Sequence, residues 1–145
     1  MIKTDKEYNE AKRRLQSEKK MIEDQHLKLK AAGLTKDQLH LALDPLASFT
    51  LQLEEEIQEY ERLMRGNFED ITNLNGIGRV LIALRISKGL KQNELAIKLG
   101  VKESQVSRDE ANEYHGASVE KIQKILNAMG VTAVTKFDPH LSETA

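Results

Sequence analysis

Residues 103–108 carry side chains whose types could recognise another molecule. Every side chain in this stretch except Val106 carries a hydrogen-bonding group: Glu103, Ser104, Gln105, Ser107 and Arg108. A guanidinium presents several donors in a fixed plane, a carboxylate only accepts, and amides and hydroxyls do both. This composition favours recognition at a polar surface. Nowhere does the chain show the pairing of a nucleophile with a base that covalent catalysis needs.

Two short helical patterns, joined by a tight turn, position these side chains. The first covers residues 92–99, the second covers about residues 103–112, and Gly100-Val101 makes the turn. Ala96 is small where the two helices would cross, and we expect Val101 and Val106 to fill the core between them. This is the layout of a helix-turn-helix, whose second helix enters the major groove of DNA. We therefore predict a recognition helix at about 103–112.

The residues around the turn resemble the Cro/XRE-type helix-turn-helix family of phage repressors and bacterial regulators. The family pattern, Arg…Gly-Leu…Gln…Leu-Ala…Gly-Val…Ser…Glu, is met by Arg85, Gly89-Leu90, Gln92, Leu95-Ala96, Gly100-Val101, Ser107 and Glu110. The resemblance covers about residues 76–131. It implies a lambda-repressor-like domain of four to five short helices, with double-stranded DNA as its partner and a structural ion pair between Arg85 and Glu110.

The same resemblance implies which side chains meet the DNA. The base-reading residues would be Glu103, Ser104, Gln105, Ser107 and Arg108. Arg108 suits a guanine edge, whereas Glu103 can accept from the amino group of cytosine. Phosphate contacts position a protein without specifying sequence. We expect them from side chains near the turns: Lys88, Lys91, Gln92, Lys102 and Asn112.

Three features depart from the family pattern. Lys91 and Lys102 stand where Ser or Thr usually caps a helix, which would forfeit about 1 kcal/mol each. Asp109 replaces a residue that is commonly apolar. Residues 111–116 replace the usual Glu-x-Gly turn, and we expect them to form a distinctive loop.

Two long helical patterns precede this domain. Residues 4–32 carry apolar side chains at spacings of three, four and seven, and Gly33 ends the pattern. A capping box starts the second helix at Thr35. We expect a break or kink at Pro45, after which an apolar seam continues to Gly66.

The chain is therefore predicted to be all-α, with an N-terminal helical hairpin followed by the helix-turn-helix domain. The expected boundaries are 1–66 for the hairpin, 67–75 for a linker, 76–131 for the domain and 132–145 for a tail. In and beside the tail, Val131, Val134 and Phe137 could form a short edge strand.

The net charge of −1 over 145 residues conceals an uneven distribution. Residues 1–32 carry +3, residues 33–75 carry −6, residues 76–131 carry +3 and the tail carries −1. Near-neutrality thus does not exclude a nucleic-acid partner. The basic and acidic arms suit an antiparallel hairpin, but two helices bury too little surface alone. The C-terminal domain or a second copy of the hairpin would supply the third layer. We favour the second copy, hence a homodimer.

Other signals point away from cofactors and membranes. The chain has no cysteine, its four histidines lack metal-ligand spacing, and Gly76-Ile77-Gly78 lacks the third glycine of a dinucleotide site. The N-terminus has no signal-peptide core, and the apolar run at 80–84 is too short for a bilayer. We expect a cytoplasmic protein with no cofactor, no metal, no membrane partner and no enzymatic activity.

Two functions stay open at this point. The first is a transcriptional regulator, a repressor, that binds a palindromic operator as a dimer. The alternative is an antitoxin that neutralises a cognate toxin protein through its N-terminal helices and regulates its own operon. Co-purification of a small stoichiometric protein would distinguish them.

Overall fold

The protein is described by a computed structural model over residues 1–67 and 69–141. Its elements, in chain order, are α1 (Asp5–Ala31), α2 (Lys36–Met64), a 3-10 turn (Leu74–Gly76), α3 (Ile77–Ser87), α4 (Gln92–Leu99), α5 (Glu103–Ala111) and α6 (Val119–Met129). No β-strand occurs in those residues. The predicted all-α class is confirmed.

The first two helices form an antiparallel hairpin with side-chain caps. Thr4 accepts a hydrogen bond from the backbone of Glu7 at 3.2 Å and so starts α1. Thr35 and Gln38 form the predicted capping box at the start of α2. Tyr8 donates to Glu61 at 2.7 Å, whereas Lys19, further along α1, pairs with the earlier Glu54. The two helices therefore run in opposite directions.

Of the break or kink expected at Pro45, the break is wrong, because α2 continues through the proline. A kink at this residue stays a prediction. Proline has no N–H and deprives the carbonyl of the residue four positions earlier, here Leu41, of its helical partner. Leu41 is exposed, so water can satisfy that carbonyl. The cost of the proline is thereby reduced, and one helix spans the whole arm.

The base of the hairpin shares a hydrophobic core with the C-terminal helices. Ile2, Ile57, Tyr60 and Leu63 belong to the same buried cluster as Leu81 and its neighbours in α3. The C-terminal domain therefore covers this end. The distal end keeps large apolar side chains exposed: Met21, Leu27, Leu41, Phe49 and Leu51. Pairing of the hairpin with a second copy stays a prediction for this distal surface.

The C-terminal helices α3 to α6 pack around fully buried aliphatic side chains: Leu81, Ile82, Leu95, Val106 and Ile125. The expectation that Val101 also fills this core is wrong, because its side chain is exposed. Gly100 has a φ of +68° and turns the chain directly after α4. The N–H of Val101 then donates to the carbonyl of Ala96 at 3.0 Å. This residue closes the turn through its backbone.

Residues 130–139 contain no regular secondary structure, so the expected edge strand is wrong. Val134 and Phe137 are both exposed. A strand needs a partner for its backbone groups, and the described part of the chain offers none. Within the predicted tail, residues 142–145 lie outside the described residues.

Candidate nucleic-acid interface

Helix α5 has one buried stripe and one polar outer face. Val106 and Glu110, four residues apart, face inward and are buried. The predicted base-reading residues Glu103, Ser104, Ser107 and Arg108 are all exposed, whereas Gln105 is half-buried. The helix therefore presents donors and acceptors outward while a single aliphatic side chain anchors it in the core. An outer face of this kind suits direct readout of base edges.

Arg85 of α3 and Glu110 of α5 form the predicted ion pair, which is confirmed. Arg85 donates to both carboxylate oxygens of Glu110: Nε donates to Oε1, and Nη2 donates to Oε2 at 2.9 Å. The two side chains are 3% and 0% exposed. Arg85 also donates to the carbonyl of Leu90 at 2.8 Å. A buried charge is tolerated only when it is paired and fully hydrogen-bonded, and this network meets both conditions.

Gln92, the first residue of α4, is part of the same network. Its Nε2 donates to Oε2 of Glu110 at 2.7 Å. The side chain is half-buried, and its amide group is held in one orientation by this bond. Gln92 thus connects the start of the first helix of the motif to the inner face of the second. A phosphate contact from Gln92 would therefore begin from a fixed side chain.

The predicted phosphate-binding lysines are exposed at the turns. Lys88 and Lys91 lie between α3 and α4, and Lys102 precedes α5. Neither Lys91 nor Lys102 makes a side-chain cap. Glu94 instead accepts from the backbone N–H of Lys91 at 2.7 Å. The absence of the usual Ser or Thr leaves positive charge at both helix starts, and the first start is capped from within α4.

The acidic residue Asp109, at a position that is commonly apolar in the family, forms an ion pair with Lys121 of α6. Its carboxylate accepts from Lys121 at 2.8 Å and from Nε2 of Gln105 at 3.1 Å. Nη2 of Arg108 in turn donates to the side-chain oxygen Oε1 of Gln105 at 3.2 Å. Gln105 is therefore engaged on both sides by its own helix. It is placed to orient Arg108, whereas Arg108 itself remains exposed.

The loop after α5 is held against α3 by a close backbone approach. Glu113 and Tyr114 adopt left-handed φ values of 51° and 54°, which cost non-glycine residues about 1–2 kcal/mol each. A Cβ on Gly78 would lie 1.8 Å from the carbonyl oxygen of Glu113. Arg79 also pairs with Glu113 at 3.1 Å. The predicted distinctive loop is thus rigidly placed, and it leaves Asn112 exposed beside the end of α5.

Burial changes the titration of two tyrosines around this site. The pKa of Tyr114 is raised above its usual value of 10.0, first by burial and then by the negative charges of Glu110 and Asp109. The pKa of Tyr60 is raised by burial and by its hydrogen bond to Asp5. Both phenols therefore stay neutral throughout the physiological range, and they add no charge to the site.

Lys3 joins the network although nothing in the sequence pattern indicated it. Its Nζ donates to the backbone carbonyl of Glu110 at 3.0 Å, and its own carbonyl accepts from Arg85 at 2.7 Å. A contact between residues 107 positions apart leaves no periodic signal along the chain. Only the packing of the hairpin base on the domain brings it about.

Two further properties concern the described residues alone. They contain no group of three or more His, Cys, Asp or Glu side chains placed to hold a metal ion. None of the described helices combines the length and the apolar character needed to cross a membrane.

The α4–α5 pair, with its glycine turn and polar outer face, defines a helix-turn-helix domain. Residues 81–135 match the family model described as helix-turn-helix, of the Cro/XRE type, which confirms the resemblance found at about 76–131. This match supports a DNA-binding role in transcription regulation. No curated protein and no solved structure gives a significant match to the chain.

Proposed function

We propose that the protein is a sequence-specific transcription regulator, a repressor, that binds a palindromic operator as a dimer. The observation that carries this proposal is the outer face of α5, where Glu103, Ser104, Ser107 and Arg108 are exposed side by side. A helix held by Val106 and Glu110 can present these groups to base edges at little conformational cost. The proposal includes no catalytic step.

The roles of individual side chains follow from their surroundings. Arg108 would donate to a guanine, supported by Gln105 at its side. Lys88, Lys91, Lys102 and Asn112 would contact phosphates. Gln92, fixed by Glu110, would bind a phosphate at the start of α4 and brace Glu103.

Dimerisation would act through the distal half of the hairpin. Leu41 and Leu51 are 76% and 58% exposed on α2. In this distal half, residues 18–31 of α1 carry 4 basic and 3 acidic side chains, and residues 36–51 of α2 carry 1 basic and 2 acidic side chains, so charge contributes little there. If the distal halves of two copies lie together, the exposed apolar side chains of each copy are removed from water. Two half-sites would then lie one helical turn apart, about 34 Å.

Substitution on this surface tests the dimer. The double variant Leu41→Gln/Leu51→Gln changes exposed side chains only, so we expect unchanged helix content and a shift from dimer to monomer in sedimentation velocity. Val119→Gln alters an equally exposed apolar residue outside the hairpin and serves as the matched control. A monomeric wild-type chain, or a double variant that stays fully dimeric, would contradict this role of the hairpin.

The antitoxin alternative uses the same distal surface for a different occupant. The exposed leucines of α2 would then cover an apolar patch on a toxin, and operator binding would serve autoregulation. A small stoichiometric protein that co-purifies with the wild type, and is lost from Leu41→Gln/Leu51→Gln, would favour this alternative. Recovery of the chain as a pure homodimer would favour the repressor.

Selection of bound duplexes from a random pool tests the proposed function itself. We expect enrichment of one sequence with two-fold symmetry and half-sites about 10 base pairs apart, as symmetric dimers require. Absence of any enriched sequence would overturn the proposal. Enrichment of a single asymmetric site of a few base pairs would support α5 as the recognition helix and contradict the symmetric dimer.

A further inference from the structure

A cavity of about 440 Å³ lies between the base of the hairpin and the start of the helix-turn-helix motif. Lys3 and Lys6, at the beginning of the chain, line one side. Gln92 and Lys91 line the opposite side, together with Glu103 at the start of α5. The first turn of α1 and the N-terminal ends of α4 and α5 therefore share one open surface.

The position of this surface relative to DNA follows from how a helix-turn-helix docks. The N-terminal residues of the recognition helix meet base edges, while the preceding helix crosses the phosphate backbone. Glu103 and Gln92 stand at those two places. A side chain across the cavity from them therefore lies beside the backbone that Gln92 approaches.

The backbone at the start of α1 is fixed in place by the residues just before the helix and by Asp5. Ile2 is buried in the common core. Lys3 is bonded to Arg85 and Glu110. The hydroxyl of Tyr60 donates to the carboxylate of Asp5 at 3.0 Å, which anchors the first residue of α1 to α2. This bond also leaves Asp5 occupied by a donor from the protein.

Lys6 is the group in this turn that is left for another molecule. Its side chain is exposed, and it makes no hydrogen bond or ion pair within the described residues. The ammonium group of Lys3, by contrast, donates to the backbone carbonyl of Glu110. An ammonium on a flexible four-carbon stem binds phosphate as a compact point charge.

We infer that Lys6 binds a DNA phosphate next to the one that Gln92 approaches, so that the N-terminal hairpin forms part of the DNA-binding surface. The inference rests on the proposed function, since it needs the α4–α5 motif to dock on DNA. It extends the contact surface beyond the helix-turn-helix domain to a residue 86 positions before Gln92. The hairpin would then contribute to the orientation of the domain on the duplex as well as to dimerisation.

The test compares Lys6→Met with Lys20→Met in the full chain. Lys20 is an exposed lysine of the same helix, about 21 Å further along its axis at 1.5 Å per residue. The affinity of each variant for the selected duplex is measured by fluorescence anisotropy over a series of salt concentrations. Circular dichroism and sedimentation velocity check that both variants keep the helix content and the dimer content of the wild type, since Lys20 lies in the distal half of the hairpin.

For Lys6→Met we expect a loss of about 5- to 10-fold in affinity near 0.1 M salt. The slope of log affinity against log salt should become shallower by about one for each bound protomer, as removal of one phosphate contact predicts. The preferred sequence should not change, and Lys20→Met should behave like the wild type.

Three outcomes have distinct meanings. A normal slope for Lys6→Met, while the wild type binds DNA with strong salt dependence, overturns the inference and leaves the proposed function standing. An equal loss in both variants also overturns it, because the effect would then belong to the charge of α1 as a whole. A wild-type chain without salt-dependent binding overturns the proposed function itself.

Discussion

Arg85 and Glu110 form a buried ion pair that connects four parts of the chain. Glu110 also accepts from Gln92 at the start of α4, and the backbone of Lys3 accepts from Arg85. The pair therefore fixes α3, α4 and α5 relative to one another and ties the N-terminal residues to them. Its loss should affect both stability and the geometry of the DNA-binding surface.

Arg85→Met should lower the free energy of unfolding by about 3–5 kcal/mol, because it leaves the Glu110 carboxylate buried without its cation. Urea denaturation followed by circular dichroism measures this effect. The double variant Arg85→Met/Glu110→Leu should recover much of the loss. Arg62→Met removes a partly exposed pair with Glu59 and should cost at most about 1 kcal/mol. Equal losses for Arg85→Met and Arg62→Met would be inconsistent with this account.

Gly78→Ala should destabilise the fold strongly, because the new Cβ would meet the backbone carbonyl of Glu113. A backbone carbonyl cannot rotate away as a side chain can. We therefore expect the free energy of unfolding to fall by about 3 kcal/mol or more, which is the upper end of the range for overpacked cores. Gly76→Ala is the matched control, since its Cβ meets only the side chain of Ile71 at 3.1 Å. The melting temperatures of the two variants give the comparison. A wild-type melting temperature for Gly78→Ala would show that the loop can move aside.

Arg108→Ala and Lys102→Ala should affect DNA binding in different ways. Arg108→Ala should relax the preference for one base pair by about 1–3 kcal/mol, the value of a bidentate guanine contact. Lys102→Ala should weaken binding to all sequences alike and reduce the salt slope by about one per protomer. Repeating the random-pool selection with each variant measures base preference, and titrations over salt measure the slope. If Lys102→Ala changed the selected sequence, its assignment to a phosphate would be wrong.

Alkaline pH should destabilise the protein through its buried tyrosines. Because the pKa of Tyr114 is raised in the fold, its contribution to stability is fully present below the unfolded value of about 10 and is lost as pH rises beyond it. The free energy of unfolding of the wild type should fall above about pH 10, and that of Tyr114→Phe should fall less steeply. Denaturation at a series of pH values measures both. Identical pH dependence in the two proteins would exclude Tyr114 as a cause.

The sequence predicted those features that depend on local patterns. The start of α2 at Thr35, the turn at Gly100 and the ion pair between Arg85 and Glu110 follow from capping, glycine conformation and the family pattern. The ion pair of Asp109 with Lys121 and the bonds of Lys3 could not be predicted, because they depend on how distant elements pack. Tertiary structure also explains two wrong predictions. The exposure of Leu41 let α2 continue through Pro45 without a break, and the turn placed Val101 outside the core.

Gly78 is a glycine whose role could not be assigned from the sequence. Gly76-Ile77-Gly78 lacks the third glycine of a dinucleotide site, and Gly78 instead admits the backbone carbonyl of Glu113. A glycine inside a helix that is otherwise apolar indicates close backbone contact as readily as it indicates a ligand. Which partner occupies the space depends on the tertiary structure.

The most direct test of the central claim is the affinity of the full chain for its selected duplex and for a scrambled duplex of the same length, measured across a salt series. A sequence-specific regulator should bind the selected duplex at least about 10³-fold more tightly, and both affinities should fall steeply with salt. Equal affinity for the two duplexes, or affinity that does not respond to salt, would contradict the assignment of α5 as a DNA-reading helix.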